Sequence, residues 1–215
     1  MTILEMNHVS KAFGGSQALS DIHLDVEVGE IHALLGENGA GKSTLMNILT
    51  GVLPADAGTI TFDGKRYPTP TIQQMEAAGI AFVHQELNVI NDLTVADNIF
   101  LCRELTRLGL LRQKEQVAQA RQLFEDLGVD IDPAAMVSEL KTSEKQLLEI
   151  CRALYMDAKL LILDEPTTAL SNNEIDHLFG ILRKLKAQGK SFIFISHKMP
   201  EIFAIADRYT VLRNG

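Results

Sequence analysis

The segment Gly36-Glu37-Asn38-Gly39-Ala40-Gly41-Lys42-Ser43-Thr44 contains the residue types that bind a phosphate chain. It lies between the apolar run Ile31–Leu35, predicted to be a strand, and Lys42–Leu49, predicted to be a helix, as the phosphate-loop pattern requires. Glycines let backbone N–H groups converge on phosphate oxygens, and the positive end of the following helix points at the same anion. The alternative is a glycine-rich turn that binds nothing.

Within this loop, Lys42 is predicted to reach the β- and γ-phosphates of a nucleotide, and the Ser43 hydroxyl to ligate Mg²⁺. Both roles require the loop to hold a nucleoside triphosphate, and we expect ATP with Mg²⁺. The predicted nucleotide-binding residues of the loop are Gly36, Asn38, Gly39, Ala40, Gly41, Lys42, Ser43 and Thr44.

Two carboxylates, Asp164 and Glu165, follow the apolar run Leu160–Leu163. Ligands of open α/β sheets bind at the carboxyl ends of the strands, so the pair is placed where a nucleotide would lie. By itself such a pair would more often be a solvated strand end. Beside a phosphate loop, Asp164 becomes a candidate for the Mg²⁺ site, directly or through water, and Glu165 for the group that deprotonates the attacking water.

Strand-like and helix-like segments alternate along the 215 residues, which predicts an α/β architecture with a mostly parallel sheet covered on both faces. Helical spacing dominates between about Leu87 and Tyr155. We therefore predict a core of residues 1–86 and 156–215, interrupted by a helical subdomain of about residues 87–155. The predicted strands are Ile3–Val9, Ala18–Val26, Ile31–Leu35, Thr59–Phe62, Ile80–Val83, Leu160–Leu163 and Ser191–Ile195.

Composition limits which partners and which cellular location the chain can have. The net charge of −8 argues against a nucleic-acid partner, which would require a basic patch. No apolar stretch approaches the roughly 20 residues that cross a bilayer, and the first residues do not resemble a signal peptide, so we expect a cytosolic chain. Cys102 and Cys151 both lie in segments that we interpret as helical, and we expect buried thiols.

Further residues, in order along the chain, resemble those of ABC ATPases. Gln85, after the strand Ile80–Val83, resembles the Q-loop glutamine, and His197, after Ser191–Ile195, resembles the switch histidine. The segment from Leu163 to Ser171 is similar to a Walker B motif running into a D-loop, and Phe13 lies where these proteins stack an aromatic ring on adenine. In isolation, Gln85 and His197 would more often be surface polar groups and Phe13 a core residue.

The resemblance covers essentially the whole chain. It implies a P-loop NTPase of the ABC ATPase type: a RecA-like core with a mostly parallel sheet, an antiparallel β part and an inserted helical subdomain. It also implies that Glu165, His197 and Gln85 are catalytic, that Phe13 binds the nucleotide, and that Ser43, Gln85 and Asp164 hold the metal.

Three phrases look like the ATP-binding subunits of monosaccharide importers: Gly36–Met46, Val83–Leu87 and Leu93–Ile99. Those subunits usually carry two ATPase halves, and this chain resembles the first, although a separate gene product remains an alternative. The resemblance implies a second ATPase half, permease subunits contacted through parts of Glu86–Leu101, and indirectly a periplasmic or extracellular sugar-binding protein. The chain would then lie peripherally at the cytoplasmic face of the membrane.

One motif departs from the family. The signature Leu-Ser-Gly-Gly-Gln is replaced by Leu140-Lys141-Thr142-Ser143-Glu144, which places β-carbons where the backbone should approach a γ-phosphate and adds a negative charge. We expect a degenerate signature, one competent composite site and slow hydrolysis by the isolated domain. The alternative is ordinary capping by Thr142 or Ser143 of a helix predicted over Glu144–Tyr155.

Three functions are compatible with these residues. The first is the ATPase of a sugar importer. The second is a non-transport ABC protein acting on ribosomes or DNA, against which the acidic charge argues. The third is a regulatory domain that binds nucleotide without hydrolysing it.

Overall fold

A computed structural model describes residues 1–107 and 109–215. The α/β architecture predicted from the sequence is confirmed. The chain divides into two compact units, which are described separately. The first comprises Met1–Phe82, Ala158–Glu165 and Leu185–Gly215, and the second comprises Val83–Asp157 and Pro166–Lys184.

Eleven strands are formed by the described residues: β1 Thr2–Phe13, β2 Ser16–Glu27, β3 Ile31–Leu35, β4 Ala57–Phe62, β5 Lys65–Tyr67, β6 Ile80–Val83, β7 Thr106–Arg107, β8 Leu110–Leu111, β9 Leu160–Asp164, β10 Ser191–Ile195 and β11 Arg208–Val211. Their α-helices are α1 Lys42–Leu49, α2 Ile72–Ala78, α3 Val95–Ile99, α4 Gln113–Leu127, α5 Thr142–Tyr155, α6 Asn172–Ala187 and α7 Met199–Ile205. None of the helices in the described part of the chain has the length and apolarity to span a membrane.

The larger sheet has the strand order β11-β3-β10-β9-β6. β3 and β10 are buried along their whole length, and β9 is buried except at Asp164. β11 pairs in parallel with β3, β3 with β10, and β10 with β9. The short continuous apolar runs therefore do mark central parallel strands, because both faces of these strands are covered.

The smaller sheet is antiparallel, with the order β2-β1-β4-β5. β1 and β2 are longer than predicted and reach the turn at Gly14 and Gly15, both at positive φ. Register shifts between the two strands interrupt the alternation of apolar residues, so the prediction from periodicity ends β1 too early. Residues of β1, α1 and β10, among them Met6, Leu45 and Ile193, belong to one buried cluster of this unit.

Helices dominate the second unit, where α3, α4 and α5 contact one another. The ring centroids of Phe100 and Tyr155 are 4.4 Å apart. Cys151 is buried in α5, and burial raises the pKa of its thiol to about 12. The expectation for Cys102 is wrong: it is exposed in a turn at φ +62°, because the helix before it ends at Ile99.

Candidate functional site

Parallel pairing brings the carboxyl ends of three strands of the first unit to one sheet edge. Leu34 of β3 pairs with Ile195 of β10, which in turn pairs with Asp164 of β9. The phosphate-loop segment starts two residues after Leu34, and His197 lies two residues after Ile195. Adjacent strands are about 4.8 Å apart, so the starts of the three connections span about 10 Å.

The phosphate-loop segment packs closely against other parts of its own unit. Gly41 has φ +106°, and a β-carbon there would lie 2.7 Å from Leu19 Cδ2 and 2.9 Å from the Ala18 carbonyl oxygen. A β-carbon on Gly36 would lie 2.4 Å from the Leu212 carbonyl oxygen. At these two positions glycine is therefore required by packing as well as by backbone conformation.

Residues 212–215 hold this loop, a role that sequence reasoning missed. The Leu212 N–H donates to the Leu35 carbonyl at 2.8 Å, and the Gly215 N–H donates to the Ala40 carbonyl at 3.1 Å. The Gly215 carbonyl accepts from the Ser20 N–H at 2.7 Å, which ties the same segment to β2. These are backbone contacts between residues far apart in sequence, so no local pattern announces them.

The start of α1 fits a phosphate group. Its N-cap is Gly41, which has no side chain to accept a hydrogen bond, and its first turn contains no acidic residue. The N–H groups of Lys42, Ser43 and Thr44 have no acceptor within the helix, and the helix dipole places partial positive charge there. The loop and helix start therefore present donors and a positive field to an anion.

Lys42 adds a full positive charge to this region. Its ammonium donates to the carbonyl oxygens of Gly36 at 2.7 Å and Glu37 at 3.1 Å, so the Lys42 side chain contacts the backbone of the phosphate-loop segment. Ser43, one of the three predicted metal ligands, is exposed. A phosphate would replace carbonyl contacts of Lys42 by stronger charge-assisted hydrogen bonds.

Glu165 and His197, each predicted to be catalytic, form a hydrogen-bonded pair. The distance from His197 Nδ1 to Glu165 Oε1 is 2.8 Å, and because a carboxylate only accepts, Nδ1 carries the proton. Glu165 has φ +46°, a left-handed conformation that costs a non-glycine residue on the order of 1–3 kcal/mol. Its N–H donates to the Ile195 carbonyl at 2.9 Å, which holds this conformation. Strain of this kind is typical of a residue whose position matters for chemistry.

The other predicted site residues are Asp164, Phe13 and Gln85. Asp164 ends β9 and is partly buried beside Glu165. Phe13 ends β1 with 47% of its surface exposed and the Lys11 ammonium 5.6 Å from its ring centroid, so the alternative of a core residue is wrong. Gln85 is exposed and belongs to the second unit.

The altered signature segment lies in the second unit and is capped by its own residues. α5 begins at Thr142, two residues earlier than predicted, with Lys141 as its N-cap. The Lys141 N–H donates to the Glu144 carboxylate at 2.8 Å. The alternative of capping by Thr142 or Ser143 is therefore wrong, because the Glu144 carboxylate accepts from the N-cap backbone N–H instead.

The Ser143 side chain is also engaged. It hydrogen-bonds the Glu174 carboxylate, which accepts from the Ser171 N–H and hydroxyl at 2.8 and 2.7 Å. These hydrogen bonds from Ser143 and Ser171 lower the pKa of Glu174 to about 2.

Comparison with known proteins identifies the class. The family model described as "ABC transporter" matches residues 19–168. The chain is 48% identical over 214 residues to "Ribose import ATP-binding protein RbsA" of Bacillus cereus, covering 99% of this chain and 43% of the relative. It is 51% identical over 215 residues to "Ribose import ATP-binding protein RbsA 2" of Burkholderia ambifaria, covering 100% of this chain and 42% of that relative.

A solved structure agrees in fold. The ADP conformation of MJ1267, described as an ATP-binding cassette of an ABC transporter, superposes with a TM-score of 0.87 at 28% identity, covering 100% of this chain and 89% of that one. The chain belongs to the ABC transporter family. It is an ATP-binding cassette domain. It spans about 43% of the length of the curated relative from Bacillus cereus.

Proposed function

We propose that this domain hydrolyses ATP to energise the import of a monosaccharide, ribose in the first instance. The observation that carries the proposal is the strained Glu165, hydrogen-bonded to His197 on the sheet edge that also bears the phosphate loop. The ribose import proteins that share about half of its residues support the choice of sugar.

The residues of the sheet edge have distinct proposed roles. Lys42 and the N–H groups at the start of α1 bind the β- and γ-phosphates, and Phe13 stacks on the adenine. Mg²⁺, when bound, neutralises charge on the phosphates, with Ser43, Asp164 and Gln85 as the groups that would hold it. Glu165 accepts a proton from the attacking water, and His197 orients the Glu165 carboxylate through its Nδ1–H.

We also propose that the two composite sites of the assembled transporter are unequal. The phosphate loop, the acids and His197 of this chain would be completed by the signature of a second ATPase half. The segment Leu140–Glu144 would complete the other site poorly, because its helix start is already capped by Glu144 and Ser143 is engaged by Glu174. Isolated domains are therefore expected to hydrolyse slowly.

Permease subunits are the proposed partners in the membrane, with a sugar-binding protein acting through them. Parts of Glu86–Leu101 would contact the permease, and the domain would lie at the cytoplasmic face of the membrane.

The decisive variant is Glu165→Gln, compared with Glu76→Gln, which neutralises an exposed carboxylate on α2. Removing the general base is expected to lower steady-state hydrolysis by about 10²–10⁴ while ATP binding stays unchanged. The assay uses the domain assembled with its second ATPase half and permease subunits, with ribose uptake as a second readout. Unchanged phosphate release in Glu165→Gln would overturn the assignment, and binding without hydrolysis in the parent would indicate a regulatory domain.

A further inference from the structure

His8, Asp21 and His23 form a cluster of metal-ligating groups on the antiparallel sheet, outside the nucleotide site. One ligand atom from each lies within 4.8 Å of the others. Asp21 Oδ1 is 2.6 Å from His8 Nδ1 and 3.7 Å from His23 Nε2. The two imidazole rings meet edge to face, with their centroids 4.3 Å apart. All three residues are exposed, so an ion from solution can reach them.

Two irregularities in the β1–β2 ladder bring these side chains together. The register shifts between the pairs Met6–Leu24 and Val9–Ile22, so that Asn7 and His8 oppose His23 alone. The register shifts again between the pairs Val9–Ile22 and Lys11–Leu19, where β2 has one residue more than β1, and Asp21 lies in this part of β2.

His8 and Asp21 have φ values of +55° and +54°, respectively. Bulges of this kind redirect side chains. Val9, which lies between the two register shifts, is fully buried, so the side chains next to it point away from the core.

A neighbouring amide prepares His23 to act as a ligand. His23 Nδ1 is 3.3 Å from Asn7 Oδ1, and because an amide oxygen only accepts, Nδ1 carries the proton. Nε2 is then left with a lone pair, and this is the nitrogen that faces Asp21. A metal-bound histidine generally donates its other N–H to such an outer partner, which fixes its tautomer and its orientation.

We propose that His8, Asp21 and His23 form a binding site for a divalent transition-metal ion, with Zn²⁺ as the best match. Bonds of about 2.0–2.1 Å in tetrahedral geometry place ligand atoms about 3.4 Å apart. The His23–Asp21 distance is already close to this value, and the His8–Asp21 distance needs to widen by less than about 1 Å. When the ion binds, the proton of His8 moves from Nδ1 to Nε2 by way of solvent, which leaves Nδ1 free to act as a ligand, and solvent completes the coordination.

The types of ligand at this site favour a different ion from the Mg²⁺ that accompanies a nucleotide. Two imidazoles and one carboxylate suit Zn²⁺, Cu²⁺ or Ni²⁺, whereas Mg²⁺ prefers oxygen ligands. Because its ligands come from both β1 and β2, a bound ion would cross-link these strands and stabilise the antiparallel sheet. The proposal does not depend on the transport function.

The test is a Zn²⁺ titration by calorimetry, in excess Mg²⁺, of the chain stripped of metals and freed of any histidine tag. The parent is compared with His8→Ala, His23→Ala and Asp21→Asn. The control is His177→Ala, which removes an exposed histidine of α6 outside the cluster. We expect one Zn²⁺ site in the parent and in the control, and at least about tenfold weaker binding in His8→Ala and His23→Ala.

Two further readouts complete the test. Co²⁺ added to the parent should give the visible absorption of a four-coordinate site, and this absorption should be absent from His23→Ala. Because the three residues are exposed, the variants should keep the parent's circular dichroism spectrum. A Zn²⁺ isotherm that is the same in the parent and in His8→Ala and His23→Ala would overturn the proposal. So would the absence of Zn²⁺ binding to the parent.

Discussion

Two helices in different units of this chain begin with related residues and opposite electrostatics. At the first three helical positions α1 has Lys42-Ser43-Thr44, and α5 has Thr142-Ser143-Glu144. The N-cap of α1 is a glycine, and its first turn lacks an acid. The N-cap N–H of α5 instead donates to the carboxylate of Glu144, at the third position.

The serine at the second position shows the same contrast. Ser43 is exposed, with its hydroxyl accessible to a ligand, whereas Ser143 hydrogen-bonds Glu174. A helix start can bind an anion only where the chain leaves its donors uncapped and its field positive. The comparison thus explains why the first helix start is suited to a triphosphate and the second is not.

Giving α1 the acid of α5 should produce the largest effect. Thr44→Glu places a carboxylate at the third helical position, beside the proposed phosphate site. Two charges about 4 Å apart interact by about 4 kcal/mol at an effective dielectric constant of about 20. We therefore expect ATP affinity to fall about 100-fold or more, measured by calorimetry. Thr44→Gln, with the same shape and no charge, is the control, and equal affinities for the two variants would contradict the electrostatic account.

Removing the acid from α5 should have an intermediate effect, on stability alone. In Glu144→Ala the Lys141 N–H loses its acceptor, which typically costs about 0.5–2 kcal/mol. Urea unfolding should report this loss, while ATP affinity of the domain stays unchanged. Glu139→Ala removes an exposed carboxylate just before α5 and should leave stability nearly unaltered. A weakened affinity for ATP in Glu144→Ala would show that the two helix starts are not independent.

The smallest effect is expected from Glu174, and it depends on pH. Its pKa is lowered from 4.5 to about 2 in the folded chain, so its stabilising contribution is fully present above about pH 4.5. The contribution is lost as the pH falls towards 2, because the folded state must then protonate a carboxylate that Ser143 and Ser171 hold as an anion. The difference in thermal midpoint between the parent and Glu174→Gln should therefore shrink over this range. A difference that stays constant from pH 6 to pH 3 would argue against these hydrogen bonds.

Much of the fold could be predicted because its signals are local. β3, α1, β6 and β10 have the predicted bounds, since each is a short apolar run or a helix bounded by glycines or polar residues. The extent of β1 and β2 could not be predicted, because bulges disturb the alternation on which such predictions rest. The predicted start of α5 is too late, because the side chain of Glu144 caps the backbone of Lys141, which precedes it in the chain.

For the site, the residue types were visible in the sequence but their geometry was not. The phosphate-loop residues, Asp164 and Glu165 are predicted from their chemistry and their placement after apolar strands. His197 is predicted from its resemblance to the switch histidine of a family to which the chain does belong. Their roles in binding and hydrolysis stay predictions, as do the roles of Phe13 and Gln85. Glu165→Gln tests the proposed base, and Thr44→Glu tests the proposed phosphate site at the start of α1.

The sequence by itself determined which backbone and side-chain groups could bind a triphosphate, because glycine spacing and the order of strand, loop and helix are local properties. Only the tertiary structure decided the long-range contacts. These include the support of the loop by residues 212–215, the pairing of Glu165 with His197 across adjacent strands, and the meeting of His8 with Asp21 and His23. The physical reason is that hydrogen bonds and packing between distant segments depend on register and bulges, which no short window of sequence specifies.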